Sequence, residues 1–245
     1  MSIRKTLSTA ARVMNELRHD PRTIALMLLV PCVLLIVLRY VFNDNQLIFD
    51  QIGPMTLGLF PLILMFIVTS IVTLRERKTG TLDRLMTMPL SKLDIVFGYA
   101  LAFTAIATLQ ACLAALTILG LLGVTVLSGT MPVLLAAVAA AFLGTTLGLF
   151  VSAFANSEFQ AVQFMPAIIF PQLLTCGLFA PREHMAKALQ WFADVMPLTY
   201  SVDAMKQATT HATWTSTTTR DLLVVFGCGV VALVLGSVTI RRQEK

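Results

Sequence analysis

Charged side chains are scarce in this chain of 245 residues. Asp, Glu, Lys and Arg make up 13% of the sequence, hydrophobic residues make up 57%, and the mean hydropathy is +0.82. Soluble domains contain about 25% charged residues. Because a soluble fold must present much of its surface to water, so apolar a composition excludes a water-soluble enzyme and a disordered protein. It indicates a protein dissolved largely in lipid.

Sequence signals of catalysis and ion coupling are also missing. The four cysteines lie in apolar runs, without a CxxC pair or a nearby His, so they predict neither a zinc site nor a disulfide framework. No GxSxG, HExxH or GxxxxGK[ST] motif occurs, and we expect neither catalysis nor a cofactor in this chain. Ion-coupled carriers use ionisable groups inside the membrane. No Asp, Glu, Lys or His lies in the middle of a long apolar run, so a transporter of this kind needs a partner as its energy source.

Long apolar runs are what the sequence does contain. A run of about 18 residues or more is long enough to cross a hydrocarbon core about 30 Å thick. The sequence therefore predicts an all-α, polytopic membrane protein with six transmembrane helices, in which residues 1–23 precede a six-span transmembrane domain at 24–245. The six predicted spans are 24–42, 54–74, 95–126, 131–155, 162–180 and 222–240.

The basic residues predict an orientation. Of the 18 Lys and Arg residues, 13 lie in the N-terminal segment 1–23, the loop 75–94 and the tail 241–245, which six spans place on one side of the membrane. The positive-inside rule then puts both termini in the cytosol. Anionic membrane lipid, and not nucleic acid, is the partner that the net charge of +5 predicts.

Several shorter segments also have helical patterns. Apolar residues recur at steps of three or four in 3–18, which predicts an amphipathic helix lying in the membrane interface, with a plain solvated segment as the alternative. The long outer loop shows similar spacing at 182–194 and 199–208, with Pro197 between them, and predicts short outer re-entrant helices. One predicted span has a stripe of small residues that allows close helix packing: Ala136, Ala140, Gly144 and Gly148.

The loop 75–94, RERKTGTLDRLMTMPLSKLD, carries the most specific pattern between two predicted spans. Leu82, Leu85 and Met86 fall on one face of a short helix, and the proline at 89 ends it. Ser91 and Asp94 have the spacing of a capping box at the start of the next span. A small apolar face of this kind suits docking into a groove on another protein. A connector that folds back on the membrane is the alternative.

Three separate stretches resemble the type-2 ATP-binding-cassette export permeases, the family that includes daunorubicin-resistance permeases. They are RERKTGTLDRLMTMPLSKLDIVFG from 75, NSEFQAVQFMPAIIFPQLLTCGLFAPREHM at 156–185 and MPLTYSVDAMK at 196–206. The resemblance implies that 3–18 is a connecting helix and that about 80–88 is a coupling helix on a separate ATPase subunit. Glu76 matches an acidic position typical of the family, and 181–208 would cap the exit.

The resemblance also implies an assembly. Two permease subunits, identical or homologous, would work with two copies of an ATPase that holds ATP and magnesium. The expected function is export of a hydrophobic or amphipathic substrate across a bacterial-type plasma (inner) membrane, as in multidrug or lipid efflux or antibiotic resistance. The alternatives are an ion-coupled secondary carrier and a non-transporting membrane assembly protein.

Three groups of residues are expected to carry this function. The expected contacts with the ATPase, including ion pairs that hold the loop, are Arg75, Glu76, Thr79, Gly80, Leu82, Asp83, Arg84, Leu85, Met86 and Pro89. The expected substrate pathway, chosen for aromatic and Met surface beside the kinks from Pro166 and Pro171, is Phe60, Met65, Phe66, Phe164, Phe170 and Gln172. The expected outer gate is Trp191, Pro197 and Tyr200.

Overall fold

A computed structural model describes residues 2–239 without 89, 125, 128 and 212, and without the side chains at 83 and 86. Most of these residues are helical. No strand occurs among them, so the predicted all-α class is confirmed. The helices are α1 (Ile3–Arg18), α2 (Pro21–Val41), α3 (Gln46–Lys78), α4 (Thr81–Thr87), α5 (Lys92–Leu116), α6 (Thr130–Ser152), α7 (Glu158–Thr175), α8 (Lys187–Val195), α9 (Pro197–Thr210) and α10 (Ser216–Thr239). A π-helical segment, Thr117–Leu121, extends α5.

The predicted number of spans requires a correction. Within the described residues, five helices are long and apolar enough to cross a membrane, namely α2, α3, α5 with its π-helical extension, α6 and α10. The run 162–180, the fifth of the six predicted spans in sequence order, lies largely on α7, which has only 18 residues. Its two prolines and three glutamines lower its hydropathy. Within the described residues, length and composition therefore support five of the six predicted spans, and α7 falls below the hydropathy of the other five.

The helices alternate in direction between two ends of the bundle. At one end, α1 packs on the start of α5, where the Ser2 backbone N–H donates to Asp94 Oδ1 at 2.8 Å. Most of the described Lys and Arg residues lie at this end, here called the basic end. At the other end, called the opposite end, α9 meets the start of α10, where Gln207 Nε2 donates to Asp221 Oδ2 at 2.9 Å. Because α7 begins beside Arg75 and ends beside Leu198, it runs the length of the bundle.

The closest packing in the bundle is between α3 and α6. The small-residue stripe predicted from the sequence is buried, and a methyl group built on Gly144 or Gly148 would overlap the α3 backbone at Leu62 or Phe66. The Thr69 hydroxyl donates across the same interface to the Thr145 carbonyl at 3.2 Å. The two glycines therefore allow contact between the helix backbones, as small residues do in membrane bundles.

Helix α1 covers the residues predicted for it, but its buried face matches the predicted apolar face only in part. Thr6, Thr9 and Val13 are buried against α5, whereas Ile3 and Leu7, expected on the apolar face, are 77% and 53% exposed. A methyl group on Gly98 would lie 2.6 Å from the Thr9 Cβ, so this glycine permits the close approach. Two faces of α1 are consequently occupied in different ways, one by α5 and the other by solvent or lipid.

Asp94 connects this contact to the start of α5. The predicted capping box is confirmed, since the Asp94 N–H donates to Ser91 Oγ at 3.1 Å and the Ser91 N–H donates to Asp94 Oδ2 at 3.1 Å. The other carboxylate oxygen accepts from Ser2 and, at 3.4 Å, from the Thr6 hydroxyl. One buried carboxylate therefore caps α5 and also holds the beginning of α1.

Replacing Asp94 with alanine should loosen α1. We expect the free energy of unfolding to fall by about 1–2 kcal/mol, because the cap of α5 is lost. The N-terminal segment should also be cleaved faster in limited proteolysis. Asp44→Asn, on an exposed turn at the other end of α2, is the control and should leave cleavage unchanged. Equal cleavage rates for Asp94→Ala and the unmodified protein would contradict the anchoring role.

The outer loop forms two helices, with bounds that differ from those predicted. The stretch 182–194 divides into a 3₁₀ turn, Arg182–His184, and α8, with a break at Met185 and Ala186. The second prediction, 199–208, lies within α9. Pro197 is the first residue of α9, where its missing N–H leaves no hydrogen bond unsatisfied. The break after the 3₁₀ turn leaves Arg182 free to pack against α9.

Candidate functional site

Helix α4 turns its apolar residues inward. Gly80 has φ of 76°, a conformation that glycine adopts without strain, and it turns the chain from α3 into α4. Leu82 and Leu85 are 3% and 7% exposed and belong to the same buried cluster as Tyr99. The face that the sequence analysis expected to dock is therefore packed inside the helix bundle. The exposed surface of α4 and the residue after it comprises Arg84, Thr87 and Met88.

The remaining residues predicted in this loop are placed less completely. Thr79 is exposed, and its hydroxyl lies 3.1 Å from that of Thr81. The side chains at 83 and 86, and all of residue 89, lie outside the described part of the chain. Asp83, Met86 and Pro89 therefore stay predictions.

The last turn of α3 is bound to the α6–α7 turn. Arg75 donates from Nε and Nη2 to the two carboxylate oxygens of Glu158, at 2.7 and 2.9 Å. These hydrogen bonds hold the pKa of Glu158 below its usual value. Arg77 donates from Nη1 to the Ala153 carbonyl at 2.7 Å and from Nη2 to the Ala155 carbonyl. Sequence reasoning placed Arg75 inside a loop network, and it missed Arg77 as a cap on the end of α6.

Glu76 lies in a buried polar cluster with α1 and α5. Its Oε2 accepts from Arg12 Nη2 at 2.9 Å and from the Tyr99 hydroxyl. Arg12 Nη2 also lies 2.6 Å from the Tyr99 oxygen, and Arg12 Nη1 donates to Glu16 Oε2 at 2.9 Å. Glu76 was expected from the resemblance, but Arg12 and Tyr99 were not. They are 64 and 23 residues away from Glu76 in sequence, and no local pattern relates them.

Three of the cavities among the described residues lie at different depths of the bundle. An apolar groove of about 550 Å³ runs between α5, α6 and α10 and ends near Trp214. A cavity of about 380 Å³ lies at the basic end between α1, α2 and α3, and includes Glu16 and Glu76. A polar cavity of about 290 Å³ at the opposite end lies between the 176–183 segment, α8 and α9.

The six residues predicted for the substrate pathway do not meet in one cavity. Met65 and Phe66 have no exposed surface, and Gln172 is 4% exposed. The Gln172 Oε1 accepts from the Leu198 N–H at 3.4 Å, which links α7 to α9. Phe60 and Phe164 are partly buried in different clusters, and Phe170 is 48% exposed. None of the six lines the three cavities above.

The three residues predicted as an outer gate lie on the consecutive helices α8 and α9. Trp191 is 78% exposed on α8. The Tyr200 hydroxyl of α9 donates to the Asp194 carbonyl of α8 at 2.6 Å, and Pro197 is the first residue of α9 between them. Beneath them Arg182 donates to Asp203 Oδ2 at 2.5 Å. Burial raises the pKa of Asp203, and the charge of Arg182 opposes that increase.

Comparison with known proteins gives one family. The family model of the ABC-2 type transporter matches residues 5–209. The chain is 28% identical to the probable multidrug ABC transporter permease YbhR of Escherichia coli, over 70% of this chain and 47% of that protein. It is 28% identical to the inner membrane transport permease YhhJ of E. coli, over 57% of this chain and 37% of that protein. It is also 28% identical to ABC transporter G family member 20 of Dictyostelium discoideum, over 67% of this chain and 22% of that protein. The chain thus matches less than half the length of each of these relatives.

Proposed function

The chain belongs to the ABC-2 type transporter family and is a transmembrane subunit of an ABC transporter, and we propose that it exports a hydrophobic or amphipathic substrate from the cytosol. The driving force comes from a separate ATPase subunit, which holds ATP and magnesium and docks at the loop 75–94. The name of YbhR supports a drug as one class of cargo. The name of YhhJ supports a place in a bacterial inner membrane.

The observation that carries this proposal is the position of α4. It is a short helix with exposed Arg84, Thr87 and Met88, between the two long helices α3 and α5. Leu82 and Leu85, packed into the permease, then transmit force instead of forming the docking surface. A partner that pushes on α4 also moves α3 and α5, because the buried leucines connect it to both.

The polar contacts around α3 extend this path. Glu76 links α3 to α1 and α5, while Arg75 and Arg77 link it to α7 and α6. The basic end therefore moves as one unit when ATP binding favours one of two arrangements of the bundle. The exposed Arg75–Glu158 pair is weak by itself, so its role here is to fix the relative positions of α3 and α7.

The basic end of the bundle also supports an orientation in the membrane and an assembly. We place the basic end and both termini in the cytosol, since ten Lys and Arg residues lie in 1–23 and 75–94. Two permeases, identical or homologous, surround the pathway with two ATPases beneath them. Phe170, exposed on α7, is the pathway residue best placed to face the second permease. Trp191, Pro197 and Tyr200 close the exit at the opposite end.

Charge reversal on the exposed face of α4 tests the docking proposal. Arg84→Glu combined with Met88→Asp should abolish co-purification of vanadate-sensitive ATPase activity with the tagged permease in mild detergent. Both side chains are exposed, so the fold should tolerate the change to within about 0.5 kcal/mol per site. Lys187→Glu, exposed on α8 at the opposite end, is the matched control and should retain the activity.

Two outcomes would contradict the proposal. Retention of ATPase activity by the double variant would show that α4 is not the docking site. Absence of any ATPase with the unmodified permease, after expression in its native host, would favour an ion-coupled carrier or an assembly protein.

A further inference from the structure

The cavity at the basic end combines an apolar wall with carboxylates. It has a volume of about 380 Å³, within the range of about 300–1,000 Å³ typical of small-molecule sites. Leu17 of α1 and Val68, Ile71 and Val72 of α3 form much of its apolar surface. The carboxylates in its wall are Glu16, Asp20 and Glu76.

Among the described residues, the charges in this wall do not balance. Arg12 is shared by two carboxylates, since Nη1 donates to Glu16 and Nη2 donates to Glu76, both at 2.9 Å. These three groups carry a net charge of −1. Arg75 also lines the cavity, but Glu158 neutralises it through two hydrogen bonds.

The third carboxylate, Asp20, caps α2. Its Oδ1 accepts from the Thr23 N–H at 3.2 Å, and its Oδ2 accepts from the Thr23 hydroxyl at 2.6 Å. These contacts hold its pKa below the usual value. Its negative charge lies at the positive end of the α2 dipole. The uncompensated charge in the wall is therefore the one shared by Glu16 and Glu76.

One oxygen of Glu76 has no partner in the part of the chain that the structure describes. Glu76 is 5% exposed, and its Oε1 makes no hydrogen bond with the described residues, although Oε2 accepts two. A buried acceptor without a donor is destabilising by about 1–3 kcal/mol, so such groups in folded proteins call for a partner. Here the group is a carboxyl oxygen of a residue that lines a cavity with both apolar and charged side chains.

We propose that this cavity binds an amphipathic organic cation, with its N–H group on the Glu76 carboxylate and its apolar part against Val68, Ile71 and Val72. The positive charge balances the Glu16–Arg12–Glu76 group, and the N–H supplies the donor that Oε1 lacks. An organic cation suits the cavity better than a hydrated inorganic cation, because half of the lining residues are apolar and can contact the organic part of the ligand. That such a cation is also the exporter's cargo rests on the proposed function, whereas binding itself does not.

A matched pair of fluorescent ligands tests the proposal on the permease alone. Monodansylcadaverine carries a primary ammonium, and its N-acetyl derivative keeps the apolar dansyl group without the charge. Each is titrated into permease in phosphatidylcholine nanodiscs, with empty nanodiscs as the blank. We expect the amine to bind at least about tenfold more tightly than its acetylated form, a ratio that corresponds to about 1.4 kcal/mol.

Variants then locate the site. Glu76→Gln should weaken amine binding about tenfold, or about 1.4 kcal/mol, and leave the acetylated ligand unchanged. Glu16→Gln should weaken the amine less, because this side chain is 54% exposed. Ile71→Trp fills the cavity and should weaken both ligands, while Ile67→Trp, one turn earlier on α3 and outside the cavity wall, should affect neither.

Equal affinity of the unmodified permease for the two ligands would overturn the proposal, whatever the variants do. So would unchanged amine binding by Glu76→Gln that elutes as a monodisperse protein. Binding without co-purification of an ATPase would leave the cation site standing and refute the docking proposal. Co-purification of an ATPase without preferential binding of the amine would support the docking proposal and refute the cation site.

Discussion

Replacing Gly144 with alanine is expected to lower the stability of the permease by about 3 kcal/mol, at the upper end of the range for overpacking. The new methyl group would lie 2.8 Å from the Leu62 Cα and overlap the Leu62 carbonyl oxygen. Because the obstacle is backbone, no side-chain rotation relieves the overlap, and α3 and α6 must separate. Gly148→Ala should behave similarly, since its methyl group would lie 2.5 Å from the Phe66 carbonyl oxygen.

Gly227 provides the matched control for this prediction. It lies in the membrane-spanning helix α10, and a methyl group there would have no neighbour within 4 Å. Gly227→Ala should be neutral or slightly stabilising, because alanine is the better helix former by about 1 kcal/mol. The measurement is the fraction of monodisperse protein that remains after heating in mild detergent. Identical midpoints for Gly144→Ala and Gly227→Ala would contradict the close α3–α6 contact.

These glycines show how far the sequence alone can predict packing. The spacing of Ala136, Ala140, Gly144 and Gly148 predicted a face that another helix could approach closely, and that face is buried. The pattern could not identify α3 as the partner, because the residues that meet the glycines are Leu62 and Phe66. Any apolar helix offers such residues, so the pairing depends on the whole topology.

Two amphipathic segments illustrate a related limit. The spacing in α1 and α4 correctly predicted helices, but not what covers their faces. In α1, threonines and a valine pack on α5 while Ile3 and Leu7 are exposed, since Gly98 makes room for Thr9. In α4, Leu82 and Leu85 are buried within the permease. Periodicity indicates that a face is apolar, and tertiary contacts decide whether protein, lipid or a partner covers it.

Helix α7 shows why the predicted span count differed. Its apolar residues suggested a span, but Gln160, Gln163 and Gln172 lower the hydropathy of a helix with only 18 residues. One of these glutamines has a structural use, since Gln172 accepts from the Leu198 N–H of α9. Polar residues that serve contacts with neighbouring helices weaken the signal on which span prediction depends.

Replacing Arg12 with alanine is expected to destabilise the basic end by about 3–5 kcal/mol, the range for removing one partner of a buried ion pair. The side chain of Glu76 is only 6% exposed, and without Arg12 its Oε2 would keep only the Tyr99 hydroxyl as a donor. Arg18→Ala, exposed on the same helix, is the control and should change stability by less than about 0.5 kcal/mol. Arg12→Lys should recover only part of the loss, because Nη1 and Nη2 donate separately to Glu16 and Glu76 and lysine lacks that planar fork.

The double variant Arg12→Ala with Glu76→Gln separates the ion pair from simple loss of packing. If the penalty of Arg12→Ala comes from an unpaired buried carboxylate, neutralising Glu76 removes its cause, and the double variant should be more stable than Arg12→Ala alone. The thermal midpoints of the four proteins form a double-mutant cycle, with an expected coupling of about 1–3 kcal/mol. If the two single effects simply add, Arg12 instead stabilises the basic end mainly by packing on the Tyr99 ring, 5.5 Å from its centre.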